Sequence, residues 1–243
     1  MKRQVLITGA SRGLGLSLLR RFVACGDHVV AVSRTKKHWK EAHALRGPGR
    51  VTLIEADLRS EPAVKRLAQK AARLSQPLDI LINNAGIGGE LKLLTDLALK
   101  DFEEMMSANL TSAFLMCKHF VPVFRRQGRA GLIVNVSSMA GIRAVPKLFA
   151  YSASKYGMLA LTQCAAKENA DADLKCITVC PGGMNTQMRA SLFGQKDSSA
   201  QQSPDFVAGV MMDIIDNRFP VATGSDVVIR HGKIFSVTAM PQA

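Results

Sequence analysis

The sequence predicts an α/β protein built on a parallel, doubly wound β-sheet. Short runs rich in Val, Ile and Leu alternate with amphipathic stretches of helical period from one end of the chain to the other. The apolar runs are nearly continuous, which is typical of strands that are covered on both faces. Strict alternation of strands and helices indicates parallel pairing, because each helix returns the chain to the edge where the next strand starts.

The apolar runs predict seven strands, at residues 4–8, 28–33, 51–55, 78–83, 131–136, 174–180 and 225–230. The predicted helices lie between them, at residues 14–25, 37–46, 61–75, 96–127, 151–169 and 204–217. Two helix starts are marked by a serine followed closely by a proline, because serine caps a helix and proline suits its first turn. These are Ser60 with Pro62 and Ser203 with Pro204.

The connection after the sixth strand, residues 183–203, is long for a compact domain. Connections of this length are typical of lids and binding loops. It follows a strand end at the edge where open α/β sheets bind their ligands. We therefore expect a mobile lid over the substrate at residues 183–203.

Length and hydropathy bound the class of protein. A chain of 243 residues with 47% hydrophobic residues can bury one sizeable core, so residues 1–243 are assigned to a single domain. It contains no run of about 18 apolar residues, and we expect no membrane-spanning helix. The first residues run straight into a strand without the apolar stretch of a signal peptide, which indicates a cytoplasmic protein.

Charge and cysteine content argue against a nucleic-acid-binding protein and against a metal-binding protein. The formal net charge is +13, which attracts anions at long range, but the basic residues are scattered and we expect no nucleic-acid partner. The five cysteines form no Cys-x-x-Cys pair and the histidines make no ligand pattern, so no metal site is predicted. The odd cysteine count in apolar settings predicts reduced, buried thiols.

The first strand ends in a glycine loop that opens a helix. Its residues are Thr8, Gly9, Ala10, Ser11, Arg12, Gly13, Leu14 and Gly15. Glycines allow a tight turn and a close approach of the backbone to a pyrophosphate, while the helix amino terminus offers amides and a positive dipole. The loop follows a strand inside a βαβ unit, so we interpret it as a dinucleotide site. A tight turn without a ligand is the alternative.

The end of the second strand predicts which dinucleotide is bound. Folds that prefer NAD usually place an acidic residue there to hold the ribose 2′-hydroxyl. This chain instead continues through Ser33, Arg34, Thr35, Lys36 and Lys37, and Arg12 of the glycine loop can reach the same region. Hydroxyls and cations suit a 2′-phosphate, which predicts NADP(H) over NAD(H). The alternative is that these cations only face water.

Tyr151 and Lys155 carry the predicted chemistry. Residues at i and i+4 share one helix face, which places an ammonium beside a phenol. We expect the cation to lower the tyrosine pKa, so that the phenol exchanges protons with a carbonyl or hydroxyl near neutral pH. Ser138, at the end of the preceding strand, can hold the same oxygen.

Together these motifs resemble the short-chain dehydrogenase/reductase family over essentially the whole chain. The matching residues, in chain order, are Thr8, Gly9, Gly13 and Gly15, Asp57 and Leu58, Asn83 to Gly86, Asn109, Ser138, Tyr151 with Lys155, and Pro181 with Gly182. The resemblance implies a single Rossmann-type domain of about seven parallel strands in the order 3-2-1-4-5-6-7. It also implies a catalytic set formed by Asn109, Ser138, Tyr151 and Lys155.

The resemblance also implies a cofactor site. Its residues would be Gly9, Ser11, Arg12, Gly13, Leu14, Gly15, Ser33, Arg34, Asp57, Leu58, Asn83, Ala85, Gly86, Tyr151, Lys155, Pro181, Gly182 and Thr186. Asp57 and Leu58 would frame the adenine, and Lys155 would bind the nicotinamide ribose. Asn109 would sit in a local break of the long helix and support a water that leads to Lys155.

The implied function is reduction of a carbonyl by NADPH with Tyr151 as general acid. The chain is most similar to NADPH-dependent ketoreductases of the β-ketoacyl-carrier-protein reductase type, so a ketone or an acyl thioester is the expected substrate. Two alternatives stay open. One is an alcohol or steroid dehydrogenase that works in the oxidative direction; the other is a non-catalytic dinucleotide-binding or basic RNA-binding protein.

The resemblance further implies a homodimer or homotetramer built on the helices at 96–127 and 151–169. Apolar residues such as Phe102, Phe114 and Phe124 give the first of these helices more apolar surface than one sheet face needs. The family's usual Val-Asp-Gly-Gly near the carboxyl end is replaced here by residues 229–232, Ile-Arg-His-Gly. This departure favours the dimer over the tetramer.

Overall fold

Eight strands form one sheet in the computed structural model, which describes residues 2–35, 39–73 and 76–240. The strands are β1 (Gln4–Thr8), β2 (His28–Ser33), β3 (Arg50–Glu55), β4 (Ile80–Asn83), β5 (Gly131–Val136), β6 (Leu174–Pro181), β7 (Asp226–Arg230) and β8 (Lys233–Thr238). Their order in the sheet is β3-β2-β1-β4-β5-β6-β7-β8. The first seven pair in parallel, as predicted, and β8 pairs antiparallel with β7.

Helices cover both faces of this sheet. They are α1 (Gly13–Ala24), α2 (Lys40–Ala44), α3 (Glu61–Ala72), α4 (Leu99–Met106), α5 (Ser112–Gln127), α6 (Phe149–Glu168), α7 (Gln187–Phe193), α8 (Gln195–Ser199) and α9 (Pro204–Ile215). Ser203 caps α9 as expected, because its hydroxyl accepts a 3.0 Å hydrogen bond from the Phe206 amide. Ser60 precedes α3 without a side-chain cap bond.

The core is split into two layers by the alternation of strand side chains. In β1, Val5 and Ile7 pack with α1 and α9 on one face of the sheet, while Leu6 packs with α3 and α5 on the other. All three side chains are fully buried. A strand that is apolar on both faces needs a continuous hydrophobic run, which explains why the central strands could be placed from the sequence.

The helix predicted at 96–127 is interrupted. α4 ends at Met106, a π-helical turn spans Ser107–Thr111, and α5 begins at Ser112. A π-turn inserts a residue into the i to i−4 ladder and bends the helix locally. The break implied at Asn109 is therefore present.

Other boundaries differ from the predictions. The helix predicted at 37–46 is a short one, Lys40–Ala44, and residues 37 and 38 lie outside the described residues, as do 74 and 75 at the end of the helix predicted at 61–75. The eighth strand was not predicted. It follows a two-residue turn in which both His231 and Gly232 have positive φ, at 50° and 73°.

The connection predicted as a lid, residues 183–203, contains the two short helices α7 and α8. The Arg189 guanidinium donates to Asp197 across this helical pair at 2.6 Å. The hydroxyl of Ser198, which is fully buried, donates to Asn185 Oδ1 at 3.1 Å. The segment is thus folded on itself, and the backbone bridge of Met184 with Gln202 joins its two ends. Gln202 Nε2 also donates to the Ile229 carbonyl of β7 at 3.3 Å.

Three predictions, on membrane spans, metal sites and buried thiols, can be compared with the structure of the described residues. Over the described ranges, no helix is long and apolar enough to cross a membrane. The same residues include no group of three or more His, Cys, Asp or Glu side chains arranged to hold a metal ion. The prediction of buried thiols is correct for Cys117, Cys176 and Cys180 and wrong for Cys25 and Cys164, which are exposed on helices α1 and α6 or their ends.

Candidate active site

The glycine loop forms a cradle that no larger side chain would fit. A Cβ atom on Gly15 would lie 2.3 Å from the Gly9 carbonyl oxygen, and one on Gly9 would lie 2.9 Å from Ala85 Cα. Gly9 also has a φ of +66°, which favours glycine. Both contacts are with backbone atoms, which cannot move aside. The glycines therefore let the loop pack tightly on itself and on the end of β4, and Gly9, Ser11 and Gly13 line the adjoining cleft at the amino terminus of α1, where a pyrophosphate site is expected.

Thr8 and Asn84 fasten this loop to the end of β4. The Thr8 hydroxyl accepts from the Asn84 amide at 2.9 Å and from the Ala85 amide at 3.0 Å. In return, Asn84 Nδ2 donates to the Thr8 carbonyl at 3.0 Å and to the Gly9 carbonyl at 3.2 Å. The two strand ends that flank the cleft are therefore held in one fixed arrangement.

Asn83 was predicted as a cofactor residue, and its side chain lies elsewhere. It is 3% exposed and donates to Asn135 Oδ1 at 2.8 Å, deep between the sheet and α5. The reason is the strand alternation, which turns the last side chain of β4 inward and the next one, Asn84, toward the cleft. Asn84 is the residue of this motif whose side chain lines the cleft.

A cleft of about 630 Å³ follows the carboxyl ends of β1, β2, β3, β4 and β5. It brings together most of the predicted cofactor residues, namely Gly9, Ser11, Arg12, Gly13, Leu14, Ser33, Arg34, Asp57, Leu58, Ala85, Gly86, Tyr151, Lys155 and Thr186. Besides Asn83, three predicted residues do not line it: Gly15 packs on the Gly9 carbonyl, and Pro181 and Gly182 pair with Ile229 of β7. The cleft runs from the β2 and β3 ends to Tyr151, as an extended dinucleotide site does.

The β2 end of the cleft is rich in cations. Arg12, Arg20, Arg34 and Arg59 all line it. Arg12 Nη1 donates to Gln187 Oε1 at 3.1 Å, Arg20 pairs with Glu41 outside the cleft, and Arg59 pairs with Asp57. Ser33 ends β2 beside Arg34, while Lys36 and Lys37, which the same prediction included, lie outside the described residues.

At the opposite end of the cleft, Tyr151 and Lys155 lie on the first turns of α6. Lys155 is 5% exposed, its Nζ donates to the Val136 carbonyl at 3.0 Å, and it lies 5.7 Å from the centre of the Tyr151 ring. Burial lowers the pKa of Lys155 to about 8, an effect that the nearby Cys180 opposes. The two side chains predicted to act together are therefore in the same enclosed corner.

The expected pKa shift of Tyr151 has the opposite sign in the structure. Burial raises the pKa of its phenol, and the neighbouring Ser138 hydroxyl only partly opposes this. Removal from water disfavours the phenolate, while the Lys155 ammonium is directed at a backbone carbonyl and is itself desolvated. Tyr151 is consequently a protonated phenol at neutral pH.

Ser138 lies at the end of β5, where a 3₁₀ turn begins. Its Oγ accepts from the Ala140 amide at 3.1 Å and caps that turn, which fixes the hydroxyl beside Tyr151. The preceding Ser137 donates to the Lys155 carbonyl at 2.8 Å and ties β5 to α6. The relative positions of Ser138, Tyr151 and Lys155 thus depend on the contacts between the end of β5 and α6.

Asn109 lies in the π-helical turn and is fully buried. Its Oδ1 accepts from the Ile87 amide at 2.8 Å, and its Nδ2 donates to the Ile87 carbonyl at 3.1 Å and to Ser154 Oγ at 3.1 Å. The side chain thereby joins the loop after β4 to the helix that carries Tyr151 and Lys155. A Cβ atom on Gly86 would lie 3.0 Å from Asn109 Oδ1 and 3.7 Å from Lys155 Nζ, so this loop approaches the lysine closely.

A second cavity of about 360 Å³ opens beside Tyr151, away from the glycine loop. Its walls are the loop after β4, the start of α4 and the residues just before Tyr151. They combine apolar side chains such as Leu97 and Leu148 with the charged Lys92 and Asp101, which pair at 2.7 Å. Among the described residues, Tyr151 and Ile87 line both cavities, so the second cavity adjoins the cleft at the phenol.

The polar residues that line the cleft without having been predicted to bind the cofactor include Arg20, Arg59 and Asn84. Asn84 could have been found, because two consecutive residues after a strand point to opposite sides. Arg59 follows Asp57 by two residues and Arg20 lies on α1; neither carries a motif, and only the folded chain brings them to the cleft. The assembled groups place a glycine loop and cations at one end of the cleft and a phenol beside an amine at the other.

The comparisons with known proteins agree with this geometry. A family model described as short chain dehydrogenase matches residues 3–197. The chain is 36% identical over 195 residues to 2-(R)-hydroxypropyl-CoM dehydrogenase of Xanthobacter autotrophicus, with 77% of each chain covered. It is 34% identical over 186 residues to a 3beta-hydroxysteroid dehydrogenase of Mediterraneibacter gnavus, with 76% of this chain and 67% of that protein covered.

Solved structures show the same fold. A 3-ketoacyl-(acyl-carrier-protein) reductase from Brucella melitensis, complexed with NADH, superposes with a TM-score of 0.85 at 26% identity, covering 93% of this chain and 96% of that one. ElxO with NADP bound superposes with a TM-score of 0.84 at 28% identity, covering 94% of this chain and 97% of that one. With the family model matching most of its length, the chain belongs to the short-chain dehydrogenase/reductase family of oxidoreductases.

Proposed function

We propose that this protein reduces a carbonyl compound to a secondary alcohol with NADPH. The observation that carries the proposal is that Tyr151 and Lys155 line one end of a dinucleotide-sized cleft, with the Ser138 hydroxyl beside the Tyr151 phenol. A buried phenol with a raised pKa is a proton donor at neutral pH. Donating a proton is the task of a general acid in carbonyl reduction, whereas oxidation of an alcohol requires the deprotonated form.

The cleft fits a nicotinamide dinucleotide. The loop at Gly9 and Gly13 leaves room for a pyrophosphate at the start of α1, and a Cβ atom on Gly15 would collide with the loop backbone. We infer that Asp57 and Leu58 hold the adenine end, while Lys155 and Thr186 hold the nicotinamide end. When bound there, NADPH supplies the hydride.

NADPH is favoured over NADH by the charges at the end of β2. Ser33 and Arg34 line the cleft, and no acidic residue occupies the position at which the fold usually holds a ribose 2′-hydroxyl. Arg12 and Arg20 also line the cleft. A 2′-phosphate would accept charge-assisted hydrogen bonds from these groups, which NADH cannot do.

The chain's own residues would then act in sequence on the substrate oxygen. The Ser138 hydroxyl, fixed by the Ala140 amide, holds the carbonyl oxygen, and the Tyr151 phenol donates its proton to it. Lys155, with a pKa of about 8, is mostly protonated at pH 7 and stabilises the phenolate that forms. Asn109 keeps the loop after β4 against α6, so that this arrangement persists during turnover.

A screen of NADPH oxidation over ketones, quinones and β-ketoacyl thioesters tests this proposal. Tyr151→Phe keeps the ring and removes the proton donor, so we expect turnover to fall by ~100- to 10,000-fold while NADPH affinity is retained. Tyr156→Phe is the matched control, because Tyr156 is exposed and its hydroxyl only donates to the Ile142 carbonyl. Equal rates in Tyr151→Phe and wild type would exclude the proposed mechanism.

A second candidate is the oxidative direction on the same scaffold. The two relatives described above are named as a 2-(R)-hydroxypropyl-CoM dehydrogenase and a 3beta-hydroxysteroid dehydrogenase. Initial rates in both directions, each measured with NADP(H) and NAD(H), separate the candidates. A higher kcat/KM for an alcohol with NADP⁺ than for its ketone with NADPH at pH 7 would favour oxidation.

We also propose that the protein is a homo-oligomer built on α4, α5 and α6. Exposed apolar side chains lie on these helices and at their ends, among them Leu99, Phe114, Phe149 and Tyr156. Burial of such residues against a second copy removes them from water. On the far side, β8 pairs along β7 and covers that edge of the sheet, which favours a dimer. Light scattering at micromolar concentration tests this, and a fully active monomer of about 26 kDa would exclude it.

A further inference from the structure

Arg59 lies in the cofactor cleft although it belongs to none of the motifs. Its Nε donates to Asp57 Oδ1 at 2.9 Å and its Nη2 donates to Asp57 Oδ2 at 2.7 Å. The Arg59 backbone amide adds a third bond to Oδ1 at 3.0 Å. The planar guanidinium therefore grips both carboxylate oxygens from one side, a geometry that fixes the direction of the carboxylate as well as its charge.

The carboxylate held in this way lies at the adenosine half of the cleft. Asp57 follows β3 by two residues, and the Ala56 amide donates to the Ser33 carbonyl at 3.0 Å, which places Asp57 next to the end of β2. In this fold the first mononucleotide-binding half takes the adenosine, and Tyr151 marks the other end. A carboxylate accepts hydrogen bonds and cannot donate them, so the group it can recognise on an adenine edge is the exocyclic amino group.

The ion pair with Arg59 also compensates the negative charge of Asp57. Asp57 would otherwise place a bare negative charge beside the cations that we assign to the cofactor phosphate. Arg59, followed by the more distant Arg34, lowers the pKa of Asp57 and compensates its charge. Arg59 Nη1 has no hydrogen-bond partner among the residues that the structure describes, so the guanidinium is not fully occupied by the pair.

We propose that Arg59 is a positioning residue of the cofactor site, which acts through Asp57 on the adenine of the bound dinucleotide. This inference rests on the proposed function, since it requires that the cleft binds a nicotinamide dinucleotide. Arg59 would orient Asp57 to accept from the adenine amino group. Its loss would therefore weaken every adenine dinucleotide to a similar extent, whether or not the ribose carries a phosphate.

Equilibrium binding of three ligands to the wild type and to Arg59→Ala tests the inference. The ligands are NADPH, NADH and deamino-NADH, in which hypoxanthine replaces adenine and the amino group is missing. We expect Arg59→Ala to weaken NADPH and NADH alike, by about three- to fivefold for a pair as exposed as this one, and to leave deamino-NADH unchanged. In an Asp57→Asn background, Arg59→Ala should have no further effect on NADH. Arg66→Ala, on the exposed side of α3, is the matched control.

Each other outcome overturns the inference in a recognisable way. A loss confined to NADPH would make Arg59 a phosphate ligand, and an equal loss with deamino-NADH would make its effect independent of adenine. An unchanged affinity for NADH would remove it from the site. If the wild type bound none of the three ligands, the proposed function itself would fail, and the Arg59 variants would not be needed to show it.

Discussion

Lys155 should give cofactor binding a pH dependence that can be calculated from its surroundings. Its ammonium is buried, and desolvation lowers its pKa to about 8. Only the protonated form donates a charge-assisted hydrogen bond to a ribose hydroxyl and favours a phenolate, and we take it as the form that binds the cofactor. A pKa near 8 means that ~90% of the protein is in this form at pH 7 and ~10% at pH 9. Apparent affinity scales with the competent fraction, so NADPH should bind about tenfold more weakly at pH 9 than at pH 7.

Other titratable groups near the site do not change their charge between pH 7 and 9. Burial raises the pKa of Tyr151 above its usual value near 10 and the pKa of Cys180 to about 12, so neither ionises between pH 7 and 9. No histidine lines either cavity in the described part of the chain. Lys155 is a base with a lowered pKa, and its charged form is lost as the pH rises through about 8. The affinity for NADPH should therefore fall as the pH rises.

The assay is a titration of nicotinamide fluorescence with Tyr151→Phe, which cannot turn over, at constant ionic strength from pH 6.5 to 9.5. Lys155→Met is the control, because it cannot titrate and should bind weakly and equally at every pH. The α-amino group titrates in the same range, and this control separates its effect from that of the lysine. A Kd that changes less than about twofold over the range, or the same midpoint in Lys155→Met, would refute the reasoning.

Three further predictions follow from the site and the core. Arg34→Asp should erode or invert the preference for NADPH over NADH, since a charge-assisted contact contributes about 1.5–3 kcal/mol before screening; equal Kd values in the wild type would contradict it. Amides of residues 183–203 should exchange fast in the free protein and slowly in a ternary complex, and strong protection without ligand would show a fixed element. Asp226 is 5% exposed, burial raises its pKa, and its Oδ1 has no partner among the described residues. Its contribution to stability is present at low pH and is lost as the pH rises through its folded pKa, so Asp226→Asn should stabilise the fold by about 1 kcal/mol at pH 8 and not at pH 4; calorimetry at both values decides.

The parallel sheet could be predicted because its signal is local. A central strand such as β1 is buried on both faces, and the five residues Gln4–Thr8 therefore had to form an almost continuous apolar run. The glycine loop was equally readable, because the close contact of Gly15 with the Gly9 carbonyl admits no side chain. The break at Asn109 was implied by family resemblance alone, since nothing in residues 96–127 marks it as a helix boundary.

The turn before the eighth strand carries a local sequence signal. His231 and Gly232 both adopt positive φ, which is the requirement of a two-residue hairpin turn, and glycine at the second position is its usual mark. The six residues that follow alternate in burial as an edge strand does. The local sequence therefore contained the hairpin, but the expectation of an all-parallel sheet favoured an irregular tail.

The remaining differences depend on three-dimensional burial, which no sequence pattern reports. The i, i+4 spacing correctly placed Lys155 beside Tyr151, but the sign of the tyrosine pKa shift depends on how much water reaches the ring. Arg59 illustrates the same limit, because an arginine two residues after an aspartate is usually a solvated surface pair. Its place in the cleft follows from the neighbouring end of β2, which lies more than twenty residues away in the chain.

The hairpin of β7 and β8 has a consequence for handling the protein. Without residues 233–240, the main-chain amides and carbonyls of Asp226–Arg230 on that side would be left without partners, on a strand with a mostly buried apolar sequence. Such an open edge is a template for pairing with other chains, which leads to aggregation. The present edge strand, β8, is at most partly buried along its length and begins with Lys233. Its pairing also carries a register shift opposite Val228 and Ile229, and these features discourage the addition of another strand. A carboxyl-terminal truncation meant to trim a loose tail would thus remove the strand that keeps the sheet soluble.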